Sequence, residues 1–216
     1  MKKKASRFTI VARGQFNPVI FQPEWLVSQG LIPESDVDLD KVGMIHPELC
    51  DFSLDWVRFN VTRNRFQILS DREQLFEMTK DLFLNVFRLL GHTPVSLIGL
   101  NWEAVYRAPN SERWHNFGHL LAPKGPWGDL LANPGMRNLV MEESVRRDGL
   151  PGYYRVDISP GVSNDNVIVI SINDHLAING EIKRPSAEQM VEIVDSQWPK
   201  SMQRAEETFE RLSNLI

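Results

Sequence analysis

The chain has 216 residues, a net charge of −4 and a charged fraction of 24%, a balance that excludes a generally basic nucleic-acid coat. That length buries a substantial core without a disulfide or metal staple, and no run approaches the roughly 18 apolar residues of a membrane span. Cys50 has no second cysteine to pair with, which fits a reducing compartment and predicts a cytoplasmic protein.

Met1-Lys2-Lys3-Lys4 imitates the start of a signal peptide, but the apolar run Phe8–Ala12 is too short and ends at Arg13, so the lysines read as a solvated tail. Residues 7–13 alternate, with Phe8, Ile10 and Ala12 on one face, and predict a half-buried strand. Pro23–Gln29 predicts a short helix that opens on proline and stops at Gly30, with Leu31 placed for the accompanying hydrophobic contact. Between residues 51 and 69 the apolar phase flips, from Phe52, Leu54 and Trp56 to Val57, Phe59 and Val61. That flip predicts a β-bulge. Thr62–Arg65 reads as a turn, with Phe66 and Ile68 on the return strand.

Residues 71–90 carry a wide apolar stripe through Leu75, Thr79, Leu82, Val86 and Leu89, widened by three phenylalanines. A core-facing helix is expected, with Ser70 and Glu73 as a capping box and Gly91 as its stop. The pattern then restarts. Residues 95–107 predict a strand with Ile98, Leu100, Trp102, Ala104 and Tyr106 on one face, and Ser111–Leu121 a short helix capped by Ser111. Residues 122–135 hold three prolines and three glycines and read as a loop. Strands follow at 137–146, 152–159 and 166–178. A final helix from about 187 opens on a Ser186/Gln189 capping box and carries Met190, Val194, Trp198, Met202, Ala205, Phe209, Leu212 and Ile216 on one stripe. Pro199 predicts a kink or a break in it.

Each half, about 1–91 and 92–216, therefore reads as strand, short helix, antiparallel strands and long amphipathic helix. The expected fold is a single α+β domain: antiparallel sheet with the long helices packed on one face, as a tandem repeat. Three segments, VSLIGLNWEAVYR (95–107), NVIVISINDHLAI (166–178) and AEQMVEIVDSQWPKSMQRAEETFERL (187–212), resemble a sporadically distributed bacterial family of uncharacterised proteins. The resemblance implies the strand-then-helix ending and carries over no catalytic or binding residue. The family's patchy occurrence is similar to that of mobile-element cargo, such as defence or toxin–antitoxin components.

Chemistry-bearing residues are few. His115 and His119 stand four apart on a predicted helix and could face one metal, with His46 and Cys50 as further ligands; two unrelated histidines are the plainer reading. Asp36, Asp38 and Asp40 imitate a calcium loop, but Lys41 and Pro47 stand where glycine and glutamate belong. Asp174 shares the phase of Ile172 and Leu176. The turn preference of Asn173-Asp174 predicts that the strand bulges or ends there, and an inward Asp174 would require a partner such as an arginine. Glu142, Glu143, Arg146 and Arg147 read as charges on an exposed strand edge.

Arg58, Arg63 and Arg65 with Trp56 and Phe59 could form a patch for single-stranded nucleic acid. Trp127, with Leu130 and Leu131 in the same loop, is a natural anchor for a protein partner. No phosphate loop, hydrolase elbow or ordered triad is present, and no cofactor is implied. The leading expectation is a non-enzymatic interaction or accessory subunit that binds a protein partner or itself. The alternatives are a metal-dependent nuclease or other hydrolase, built from Glu103, Asp157, Asp174 and Glu181 with Lys183, and a nucleic-acid-binding module.

Overall fold

A computed structural model describes residues 1–38, 42–161, 166–178 and 185–215. The first half runs β1 (Lys2–Gly14), α1 (Pro23–Ser28), β2 (Val42–His46), β3 (Leu49–Ser53), β4 (Arg58–Thr62), β5 (Arg65–Ser70) and α2 (Phe76–Leu89). The second runs β6 (Val95–Arg107), α3 (Ser111–Leu121), β7 (Leu139–Glu143), β8 (Gly152–Pro160), β9 (Val167–Ala177) and α4 (Ala187–Ser213). The nine strands among the described residues form one antiparallel sheet in the order β2-β3-β4-β5-β1-β6-β9-β8-β7. The fold is thus α+β with an antiparallel sheet. In each half the last strand returns to pair with the first, β5 with β1 and β9 with β6, and β1 meets β6 at the centre.

The period of two divides the sheet into a dry face and an open face. Phe8, Ile10 and Ala12 of β1 and Ile98, Leu100, Trp102, Ala104 and Tyr106 of β6 are all buried, as their phase predicts. Helices cover this side. Phe66 of β5 packs against Phe83 and Phe87 of α2 and against Phe21, just before α1. Phe8 and Trp102, opposite each other in the β1–β6 register, lie 4.4 Å apart between ring centroids. They pack against Phe76 of α2 and Trp198 of α4. The second indole is satisfied by Glu77 and the first by Ser201, whose hydroxyl accepts from Trp102 Nε1 at 3.1 Å.

Local signals resolve in detail. Gly30 has φ +67°, and the amides of Gly30 and Leu31 donate to the carbonyls of Val27 and Leu26, both at 2.9 Å. The two bonds satisfy carbonyls at the end of α1. The phase flip near residue 55 is a turn, not a bulge: Leu54 donates to the carbonyl of Val57 at 2.8 Å, and Ser53 pairs with Arg58. Ser70 and Glu73 form no capping box. Glu73 is drawn to Lys3 and Ser6 on β1 instead, and α2 begins only at Phe76. The first residues are not a free tail either, because Lys2 and Lys3 pair with β6 and the Met1 ammonium donates to the Ser213 carbonyl at 2.9 Å. α3 is capped by Asn110, one residue before the expected Ser111; its side chain accepts from the Arg113 amide at 2.9 Å.

The Ser186/Gln189 capping box is present. Met190, Val194, Trp198 and Ala205 of its stripe are buried, while Ile216 lies outside the described residues. Pro199 does not break the helix, which runs through it from Ala187 to Ser213. A proline removes one backbone bond, whereas the buried stripe anchors α4 on both sides of it.

β9 continues through Asn173 and Asp174 without a bulge, and Asp174 points into the dry layer with 3% of its surface exposed. Its partner is Arg146, which is 6% exposed and also donates to Asp148 and to the carbonyls of Tyr153 and His175. The strand expected over 137–146 therefore stops at Glu143, and the following segment turns inward to deliver the guanidinium. Burial alone would lower the Arg146 pKa, but the hydrogen bonds to Asp148 and Asp174 more than offset it and hold the cation charged. The same bond from Arg146 holds Asp148 below the usual carboxylate range. That contribution to stability is present above the ordinary carboxylate pKa and is lost on acidification through the depressed one. Glu142 and Glu143 do not stand free on the edge: they pair with Arg155 and with Arg147 and Arg204.

Two mutational outcomes follow from these contacts. Arg146→Met leaves a buried carboxylate unpaired and is expected to cost about 3–5 kcal/mol in urea unfolding, most of it recovered by the double change Arg146→Met/Asp174→Leu. Asn110→Ala is expected to cost about 1 kcal/mol, with Ser111→Ala nearly neutral.

Candidate functional site

α3 is held by two aromatic residues. Phe117 is buried among Ala104, Tyr106, Ile158, Ile168 and Ile170, on the dry side of β6, β8 and β9. Trp114 Nε1 donates to the Val167 carbonyl at 3.0 Å, tying the helix to the first residue of β9. The chain then leaves α3 in the loop predicted over 122–135, which contains one short 3-10 turn at Gly125–Trp127. The amides of Leu130 and Leu131 close onto the Trp127 carbonyl at 3.0 and 2.9 Å. This local folding presents the loop's large apolar side chains outward. Trp127 is 50% exposed, Leu130 73% and Leu131 52%.

Between α3, this loop and the ends of β8 and β9 lies a cavity of about 1140 Å³. It is larger than the usual range for small-molecule sites. Trp114, Phe117, Ile158 and Met136 supply apolar wall, with Trp127 and Leu131 also lining it. His115 and His119 face it from α3, their rings 6.3 Å apart and nearly parallel. Lys124 and Arg137 add positive charge, and among the described residues no aspartate or glutamate lines the cavity. Two sets of residues singled out in the sequence for different reasons, the histidine pair and the Trp127 loop, thus share one cleft.

The other sets are kept apart. His46 and Cys50 lie on β2 and β3, toward the opposite end of the sheet from β8 and β9, and His46 is exposed. Cys50 is buried and donates its thiol to the Phe21 carbonyl. Burial, with Asp51 and Glu24 nearby, pushes its pKa up to about 12. The described residues contain no group of three His, Cys, Asp or Glu placed to hold a metal. Asp36 accepts from Trp56 Nε1 at 3.0 Å, and Asp40 lies outside the described residues.

The basic-aromatic patch does not assemble. Phe59 has no exposure and stacks on Phe52, since the dry face claims the apolar phase of β4. Arg58 is neutralised by two bonds to Asp51 (3.2 and 2.9 Å), Arg63 pairs with Glu48, and Arg65 bonds Gln67. The carboxylates of the hydrolase reading are split. Glu103 and Asp157 line a hollow on the open face, Asp174 points to the other side, and Glu181 and Lys183 lie outside the described residues.

No family model matches the chain, and no curated protein matches it significantly. Among the described residues, no helix is long and apolar enough to cross a membrane.

Sequence patterns missed Lys124 and Arg137 as cleft residues, because isolated basic residues in a loop carry no periodic signal. Arg146 was legible only indirectly: an aspartate in an apolar phase demands a cation, without saying which one. Because Cys50 is buried and its thiolate disfavoured, a thiol reagent at pH 8 is expected to leave it unmodified in the native protein. One equivalent should react once the chain is unfolded in guanidinium.

Proposed function

We propose that this protein is a non-enzymatic interaction module, which grips an acidic, apolar-anchored segment of a protein partner in the cleft between α3 and the 122–138 loop. The observation that carries the reading is the coincidence, in one cavity, of apolar lining at a half-exposed tryptophan with Lys124 and Arg137 and no opposing carboxylate among the described residues. Exposed tryptophan and leucine side chains bury well against a partner. The basic residues select the sign of the flanking charge and speed encounter. The histidine pair adds two further polar groups that can donate to a carboxylate.

The reading extends to the architecture and setting. The two halves form a structural tandem, each a strand, a short helix, antiparallel strands and an amphipathic helix. Support comes from the matching return of β5 to β1 and β9 to β6. An accessory subunit of a bacterial cytoplasmic system, of the kind carried on mobile elements, accords with the resemblance of the second half to the sporadically distributed family.

The test uses short labelled peptides carrying a Leu/Phe anchor pair flanked either by Asp and Glu or by Lys, with anisotropy as the readout. The acidic set is expected to bind, and to weaken with added salt. Trp127→Ala should reduce affinity about 30-fold, the scale of an interface hot spot near 2 kcal/mol. Lys124→Glu/Arg137→Glu should transfer the preference to the lysine set. Equal binding of both sets, or binding indifferent to Trp127→Ala, would overturn the proposal.

A further inference from the structure

An open sheet ends in two edge strands, each with a row of backbone N–H and C=O groups that lack a strand neighbour. The two ends of this sheet are finished differently. At one end, β2 carries a register shift between Val42 and Met44 against β3, an irregularity of the sort that turns an edge away from further pairing. At the other end, β7 pairs with β8 from Leu139 to Glu143 without a shift, and the strand holds neither proline nor lysine. Among the described residues no strand lies beyond it. Its apolar side chains are open, with Val140 47% exposed and Met141 61%. Leu139 and Met141, opposite Ile158 and Val156 of β8, lie on the dry side, and Val140 on the open side.

The sequence of β7 is complementary to itself in one antiparallel register. A two-fold axis perpendicular to the sheet keeps every side chain on its own face, so one residue must stand opposite its own copy. Centred on Glu142 or Glu143, the register sets like charges against each other, which is destabilising. Centred on Met141, it sets Val140 against Glu142 and Leu139 against Glu143, apolar against charged. Centred on Leu139, it sets Met141 against Arg137 and Glu142 against Met136. Centred on Val140, it sets Val140 against Val140, Leu139 against Met141 and Asn138 against Glu142, and it brings Arg137 of each copy to Glu143 of the other. Apolar residues then meet in the middle, an amide meets a carboxylate, and opposite charges meet at the ends. Glu142 and Glu143 are also held by arginines of their own chain, Arg155 for the first and Arg147 with Arg204 for the second. Two copies of β7 therefore approach without a net repulsion between their carboxylates.

We propose that β7 is a self-association edge, through which two copies of this chain pair antiparallel about Val140 and join their nine-stranded sheets into one. The occupant is a second copy because the strand's own sequence supplies the apolar and charged matches that its edge presents. A contact along one short strand is small, so the dimer is weak and reversible. None of Leu139–Glu143 lines the cleft beneath α3, and the pairing does not depend on the reading of that cleft.

The test is sedimentation velocity of the full chain over a range of about 5–500 µM. A dimer is expected to form within that range. Met141→Lys and Val140→Lys each place a charge at an exposed edge position and should raise its dissociation constant tenfold or more, with the melting temperature unchanged. Mild oxidation reads the register. Val140→Cys should form an intermolecular disulfide, since that residue faces its own copy, whereas Ser144→Cys, beyond the end of the strand, should not; Cys50 is buried and stays out of the reaction. Trp127→Ala should leave the dimer intact, and Met141→Lys should leave peptide binding in the cleft intact, so the two readings fail separately. A monomer throughout the range, a dimer indifferent to both lysines or lost with Trp127→Ala, or cross-linking through Ser144→Cys in place of Val140→Cys would overturn the inference.

Discussion

At the centre of the sheet, Phe8 of the first half and Trp102 of the second face each other across an antiparallel pair of strands, and helices from both halves close over them through Phe76 and Trp198. Four large rings in mutual contact, with both indole N–H groups bonded, join the halves into one sheet with one dry side. Register elsewhere follows from this junction. A slip of one residue between β1 and β6 would turn one strand over relative to the other; were β6 the one to move, Ile98 and Leu100 would face outward and Asn101 and Glu103 would lie under the helices.

One-sided burial decides where chemistry can reside. The helices and their aromatic layer occupy the dry side, so titratable groups there must be paired, and Asp174 with Arg146 is that case. Such a pair contributes little net stability, since desolvation offsets most of its attraction. Its effect is positional. Arg146 ties the segment after β7 to β8 and β9 through two carbonyls and the Asp174 carboxylate, while Asp148 braces it from within that segment. That tether fixes the end of β7, the strand into which the loop bounding the α3 cleft runs. The open face carries no such restriction, and its charges pair in contact with solvent, as Arg7 does with Glu103 and Arg155 with Glu142.

The two surfaces differ in character for the same reason. The cleft is made where a helix and a loop leave the sheet, so apolar side chains of both line it and Lys124 and Arg137 add charge. The hollow is made by the pleat itself, so it is shallow, polar and rigidly spaced by strand register.

Much of the fold was legible in the order of residues. Alternation located β1, β6 and β9 with the correct inward faces, and the stripe and capping box located α4, because period and burial are local consequences of side-chain placement. The ends of elements were less legible. Glu73 could cap a helix or bind Lys3, and Ser111 or Asn110 could cap α3; such choices turn on which partner the folded chain brings near. At the cleft, the residues Trp127, Leu131, His115 and His119 stood out singly, whereas their convergence required α3 to dock through Phe117 and Trp114. Asp174 shows the division most plainly. Its apolar phase by itself determined that it must either leave the strand or meet a cation, and only the tertiary structure, by bending the segment after β7 inward, decided that the cation is Arg146. Periodicity is written along the chain, while the pairing of a buried charge is an energy between residues 28 positions apart, settled only when the two ends of that interval are packed together.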